Sequence, residues 1–127
     1  MSDDGAQFFQ VDQIEWPDEQ PANTPKELVD EAKRLGARRK FLAQGHGGFY
    51  SQVSQFPAGY TVPVHSHDHN EMIVILEGGC TMLGGGPTLK AGDSMVLIAG
   101  HEYGFAADGD GMTFMTIRTG AASTTVS

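Results

Sequence analysis

The pattern of hydrophobic and polar positions changes near residue 40 of this 127-residue chain. Before that point, apolar residues recur at the helical period over residues 25–35. Thr24 precedes this segment as an N-cap, and Pro25 suits the first helical position. The pattern therefore predicts one short N-terminal helix.

From residue 40 onward, short apolar runs are separated by turns that contain glycine or proline. The runs have the length and composition of β-strands. We predict strands at residues 49–56, 60–65, 72–77, 80–83, 95–98, 103–105 and 112–118, with a hairpin turn at 108–111. Six or more short strands joined by glycine turns are typical of an all-β sandwich or small barrel.

The length predicts a single folded domain. Residues 1–40 are expected to form an arm and a helix that pack on a barrel. Residues 41–118 are expected to form the barrel itself. Residues 119–127, rich in serine, threonine and alanine, are expected to form a loose tail.

The charge of −8 argues against nucleic acid or an anionic membrane surface as a partner. The chain opens on polar residues without an apolar segment, so we expect neither a secretory signal nor a membrane span, and a cytoplasmic location. Cys80 is the single cysteine, which excludes an intramolecular disulfide.

Four candidate metal ligands fall within seven residues of the sequence: His65, His67, His69 and Glu71. Imidazole nitrogens and carboxylate oxygens are donors that divalent transition metals prefer. Residues two apart on an extended chain share a face. All four side chains can therefore point the same way if this stretch is a regular strand.

The spacing of this cluster and its flanking glycines resembles the first sequence motif of the cupin family. The matching positions are Gly59, His65, His67, Glu71 and Gly78. The resemblance extends over about residues 41–118. It implies a cupin-type double-stranded β-helix, a jelly-roll barrel, and a metal held by His65, His67 and Glu71. His69 lies between the positions of that motif and is expected outside the ligand set.

The segment from Gly92 to Gly100 resembles the second cupin motif, with two departures. Ile98 stands where the family usually has proline. Tyr103 stands where the family usually has its fourth ligand histidine, and His101 lies two residues earlier. The resemblance leaves two interpretations open. Either His101 completes the ligand set, or the site has three protein ligands and Tyr103 contributes a hydroxyl, which makes Tyr103 the expected catalytic residue.

A site of two or three imidazoles and one carboxylate suits iron, manganese, nickel, cobalt or zinc as a divalent ion. The resemblance favours iron. It implies a small-molecule oxygenase, similar to dioxygenases that chelate a diketone, hydroxyketone or catechol-like substrate. A homodimer is expected from the resemblance, and because a short barrel has edge strands to cover.

Two other functions stay open at this point. A metal-dependent isomerase or lyase needs a base but no oxygen, and His69, Tyr103 or Glu102 are candidates for that base. A non-enzymatic binding or sensing domain needs neither a catalytic base nor oxygen.

Five further side chains have two interpretations each. Arg118 orients an anionic group if it faces inward, and otherwise makes a surface salt bridge. Four apolar residues either line a pocket or, as we expect, belong to the ordinary core: Phe49, Met82, Phe105 and Phe114.

Overall fold

The computed structural model describes residues 5–17, 36–120 and 124–126. Within these ranges the chain forms eight β-strands. They are β1 (Arg38–Gln44), β2 (Tyr50–Phe56), β3 (Thr61–His67), β4 (Glu71–Met82), β5 (Thr88–Lys90), β6 (Ser94–Leu97), β7 (Tyr103–Arg118) and β8 (Thr124–Val126). Two 3-10 turns complete the described elements, at Val11–Gln13 and His46–Gly48. The all-β prediction is confirmed, whereas the helix predicted at 25–35 lies outside the described residues.

The strands form one antiparallel sheet that coils on itself. Its main path runs β1-β2-β7-β3-β8, and β4 pairs with β5, β6 and β7. The longest ribbon is the pair β4 and β7, which runs from Glu71 opposite Arg118 to Met82 opposite Phe105. One end of this ribbon carries Glu71 and Arg118, which both belong to the candidate site.

The hairpin turn predicted at 108–111 is wrong, because β7 continues through it as one strand of 16 residues. The chain bends at Gly111, which has φ 78°, and β4 bends at Gly78, with φ 69°. A Cβ atom on Gly78 would overlap the carbonyl oxygen of Gly111. The glycines therefore allow two paired strands to bend together, where the sequence pattern suggested a break.

The core lies inside the coiled sheet. Ile73, Ile75, Phe105 and Phe114 are buried there with Cys80. Burial of each large apolar side chain contributes roughly 1.5–3 kcal/mol to folding. The expectation that Phe105 and Phe114 belong to the ordinary core is confirmed, and Met82 packs against the same cluster. Phe49 is 56% exposed and lies outside the buried core, so the expectation that it belongs to the core is wrong.

The described part of the arm packs on β1. The ring of Trp16 contacts two cations, with Cζ of Arg38 at 4.0 Å and Nζ of Lys40 at 4.6 Å from its centroid. Nζ of Lys40 also donates a hydrogen bond to the carbonyl oxygen of Val11 at 2.8 Å. These contacts cover part of one face of β1, the strand at the end of the sheet path.

The structure refines two predicted boundaries. β1 begins at Arg38, so it crosses the expected division between arm and barrel at residue 40. β8 pairs with β3 from Thr124 to Val126, within the segment that was expected to be a loose tail.

In the part of the chain that the structure describes, no helix is long and apolar enough to cross a membrane.

Candidate metal centre

The candidate site lies where β3 ends and β4 begins. His67 is the last residue of β3, Glu71 is the first of β4, and a turn of three residues joins them. Two hydrogen bonds hold this turn against the segment after β6. The Asn70 side-chain oxygen accepts from the Ala99 N–H at 2.8 Å, and the His67 carbonyl accepts from the Gly100 N–H at 2.8 Å. The turn is thus held by the segment after β6 as well as by the two strands that it joins.

Three side chains of this segment converge: His67, His69 and Glu71. Each offers one ligand atom, and these atoms all lie within 4.8 Å of one another. Nε2 of His67 is 3.5 Å from Oε1 of Glu71, and Nε2 of His69 is 3.8 Å from Oε2 of the same carboxylate. Alternate residues meet here as they do on a strand, although His69 itself lies in the turn. The donor set is two imidazoles and one carboxylate.

Hydrogen bonds define which nitrogen of two rings carries the proton. Nδ1 of His69 lies 2.9 Å from Oδ1 of Asp68, and Nδ1 of His65 lies 2.8 Å from the carbonyl oxygen of Pro63. Both oxygens only accept hydrogen bonds, so in each neutral ring the proton sits on Nδ1. The lone pair is then on Nε2. This arrangement is typical of histidines that bind metal ions.

Tyr103 contacts two members of the cluster. Its hydroxyl donates a hydrogen bond to Oε1 of Glu71 at 2.6 Å and lies 3.1 Å from Nε2 of His67. Burial raises the pKa of Tyr103 far above its ordinary value, and the nearby charge of Glu71 raises it further. The phenol therefore keeps its proton and acts as a hydrogen-bond donor to the carboxylate.

Arg118 faces inward from the last position of β7. Its Nη2 donates to Oε1 of Gln52 at 2.7 Å, and its Nε lies 3.5 Å from Oε2 of Glu71. Burial lowers the pKa of Arg118, while the carboxylate of Glu71 acts in the opposite direction. An arginine is charged at any ordinary pH, so Glu71 has a buried counter-ion.

Three buried atoms of the described residues have no hydrogen-bond partner: Nε2 of His69, Oε2 of Glu71 and Nε of Arg118. The first two both carry lone pairs and face each other at 3.8 Å, so neither can satisfy the other. Two ligands of one metal ion, each about 2.1 Å from it, lie roughly 3–4 Å apart. These residues therefore fit a divalent cation that both atoms bind.

The predicted ligands are only partly brought together. His67 and Glu71 lie in the cluster, and so does His69, which the family spacing excludes. His65 is buried beside this cluster, and its ring centroid lies 4.8 Å from that of His67. It is not part of the convergent group. His101 is exposed, and its backbone N–H closes a turn onto Ile98. The assignment of His65 and His101 as ligands stays a prediction.

Two contributors were missed from the sequence. Asp68 binds the ring of His69, and its position next to a candidate ligand was the only available signal. Gln52 holds Arg118 from β2, 66 residues away in sequence, and nothing in the pattern indicates that contact. Glu102, one of the candidate bases, lies exposed at the surface.

The coiled antiparallel sheet and its inward-facing His/Glu cluster define the class: a small jelly-roll domain with a candidate metal site. The "Cupin domain" family profile matches residues 52–118, just over half of the chain. The chain belongs to the cupin family, as the motif spacing predicts.

Solved structures show the same fold. An RmlC-like cupin from Shewanella frigidimarina is 21% identical, with a TM-score of 0.68 over 91% of this chain and 93% of its own. A candidate acetylacetone dioxygenase from Methylibium petroleiphilum is 21% identical, with a TM-score of 0.69 over 96% of this chain and 82% of its own. The polyketide cyclase RemF from Streptomyces resistomycificus is 12% identical, with a TM-score of 0.71 over 95% of this chain and 84% of its own. A search of the curated proteins finds no match. The jelly-roll prediction is confirmed.

Proposed function

We propose that this cupin is a metal-dependent enzyme that acts on a small molecule, with a divalent transition metal held by His67, His69 and Glu71. One observation carries the proposal. Nε2 of His69 and Oε2 of Glu71 are buried lone-pair atoms that lie 3.8 Å apart and accept no hydrogen bond, although Oε2 has the charge of Arg118 beside it at 3.5 Å. Leaving two such atoms unsatisfied is costly, and a shared cation satisfies both.

We propose iron(II) as the metal and an oxygenase reaction as the activity. Two histidines and one carboxylate, with further positions open, form the donor set of non-haem iron oxygenases. When bound, such a metal supplies Lewis acidity and redox chemistry with oxygen. A dioxygenase candidate among proteins of the same fold adds support at the level of fold alone.

The residues around the ligands have defined tasks in this proposal. Asp68 holds the ring of His69 with Nε2 directed at the cluster. Arg118 compensates the charge of Glu71 in a site that water reaches poorly. The substrate class follows the sequence resemblance: a diketone, hydroxyketone or catechol-like compound that offers two oxygens.

Metal content is the first test. Protein purified without chelator should contain close to one equivalent of a transition metal. His69→Ala should lose most of it, because Nε2 of His69 is one of the two unsatisfied atoms. His101→Ala is the matched control: its side chain is exposed, and the variant should keep its metal. If His101→Ala lost its metal and His69→Ala kept it, this ligand set would be overturned.

Oxygen consumption is the second test. Iron-loaded protein should consume oxygen with at least one member of a panel of diketones, hydroxyketones and catechols. Turnover under strict anaerobiosis would contradict the oxygenase proposal and indicate an isomerase or lyase. A protein that takes up no metal would contradict both and leave a binding or sensing domain.

We also propose a homodimer. Met72 on β4 and Val96 on β6 are cross-strand neighbours and are 42% and 61% exposed. Leu76 and Ile98 extend this apolar area, which a second copy would remove from water. Measurement of the mass in solution tests the proposal, and a monomer at high concentration would contradict it. The cytoplasmic location inferred from the sequence stays a prediction.

A further inference from the structure

The two ends of β7 meet at one carboxylate. Tyr103 is the first residue of this strand and Arg118 is the last, yet both contact Glu71. The coiling of the sheet explains the meeting. The first end of β7 lies opposite His65 on β3, and the last end lies opposite Glu71 itself on β4.

The two oxygens of Glu71 have different surroundings. Oε1 accepts the hydrogen bond from Tyr103 at 2.6 Å, a short distance typical of a strong bond from a hydroxyl to a carboxylate. Oε2 accepts no hydrogen bond, and its nearest polar neighbours are Nε of Arg118 at 3.5 Å and Nε2 of His69 at 3.8 Å. Tyr103 therefore occupies one oxygen and leaves the other for a ligand.

We infer that Tyr103 is a positioning residue that commits Glu71 to bind the metal through Oε2 alone. The inference rests on the proposed function, because it concerns the same site. A carboxylate free to bind through both oxygens would take up a second coordination position. With Oε1 held by Tyr103, that position stays open for a substrate that chelates through two oxygens.

The test compares Tyr103→Phe with wild type, using Co²⁺ as the probe. Infrared difference spectra on Co²⁺ addition report whether a carboxylate binds through one oxygen or two, from the separation of its two stretching bands. Wild type should show one-oxygen binding and Tyr103→Phe two-oxygen binding at Glu71. Competition with a chelator should show a loss of about tenfold in affinity, as for other residues that orient metal ligands.

Tyr60→Phe is the matched control, since it removes a phenol hydroxyl from a ring that packs on Phe56, with centroids 4.7 Å apart. It should change neither the carboxylate bands nor the affinity for Co²⁺. A purely structural role for Tyr103 would lower thermal stability and leave both readouts unchanged, which would overturn the inference.

Wild type alone can still overturn the inference if Tyr103→Phe does not fold. Two-oxygen binding by Glu71 in wild type overturns the inference while the proposed function stands. A wild type that binds no Co²⁺ overturns both.

Discussion

Replacement of Arg118 by methionine should destabilise the metal-free protein strongly. The substitution keeps much of the side-chain volume and removes the charge. Glu71 would then be left as a buried carboxylate without its counter-ion, and Oε1 of Gln52 would lose its donor. The side chains of Arg118 and Glu71 are only 7% and 2% exposed, so water cannot replace the lost interaction.

The size of the effect follows from this burial. Two unit charges 3.5 Å apart attract by about 5 kcal/mol at an effective dielectric constant of about 20. Removal of one partner of a buried ion pair costs about 3–5 kcal/mol in proteins. For a chain of this length, 1 kcal/mol corresponds to roughly 4 °C in Tm, so Tm should fall by about 10–20 °C.

Thermal and urea unfolding in the presence of a chelator measure the loss. The double variant Arg118→Met, Glu71→Gln should recover more than half of it, because no buried charge remains. Arg38→Met is the matched control, since Arg38 also donates to a glutamine, Gln55, but at the surface.

The control should lose only about 1 kcal/mol, including its contact with Trp16. If Arg118→Met is as stable as Arg38→Met, or if the double variant recovers nothing, the assigned role of the ion pair is refuted.

Three further predictions concern separate features. Asp68→Ala should weaken Zn²⁺ binding by roughly tenfold, because the ring of His69 loses the acceptor that holds its Nδ1 proton; unchanged affinity in chelator competition would contradict this role. Gly78→Ala should lower the free energy of unfolding by at least about 2 kcal/mol, since the new methyl group meets the Gly111 carbonyl at a positive φ; urea unfolding at wild-type stability would show that the strands can separate there. Cys80 should react with a thiol reagent at pH 8 only on unfolding, because burial raises its pKa to about 11; rapid labelling of native protein would contradict its place in the core.

The fold was largely predictable because strand-forming runs and glycine turns are local signals. The position of the cluster between β3 and β4 followed from the spacing between Gly59 and Gly78. The bend in β7 was not predictable: a glycine-rich stretch such as 108–111 resembles a hairpin turn, but β4 pairs with β7 on both sides of it, with a register shift between Gly78 opposite Met112 and Cys80 opposite Ala107. Long-range pairing on both sides of this stretch overrides the local turn signal.

The site was predictable in part for the same reason. His67 and Glu71 follow from the local spacing, whereas the membership of His69 depends on the turn that carries it and on its bond to Asp68. The inward direction of Arg118 depends on the coiling of the whole sheet, which no local pattern encodes.

A metal-edge anomalous difference map from crystals of the protein grown with Fe²⁺ or Co²⁺ tests the central claim most directly. We expect a single peak about 2.1 Å from Nε2 of His69 and Oε2 of Glu71, with His67 as the third protein ligand. A peak that His69 does not contact, or no peak at this cluster, would contradict it.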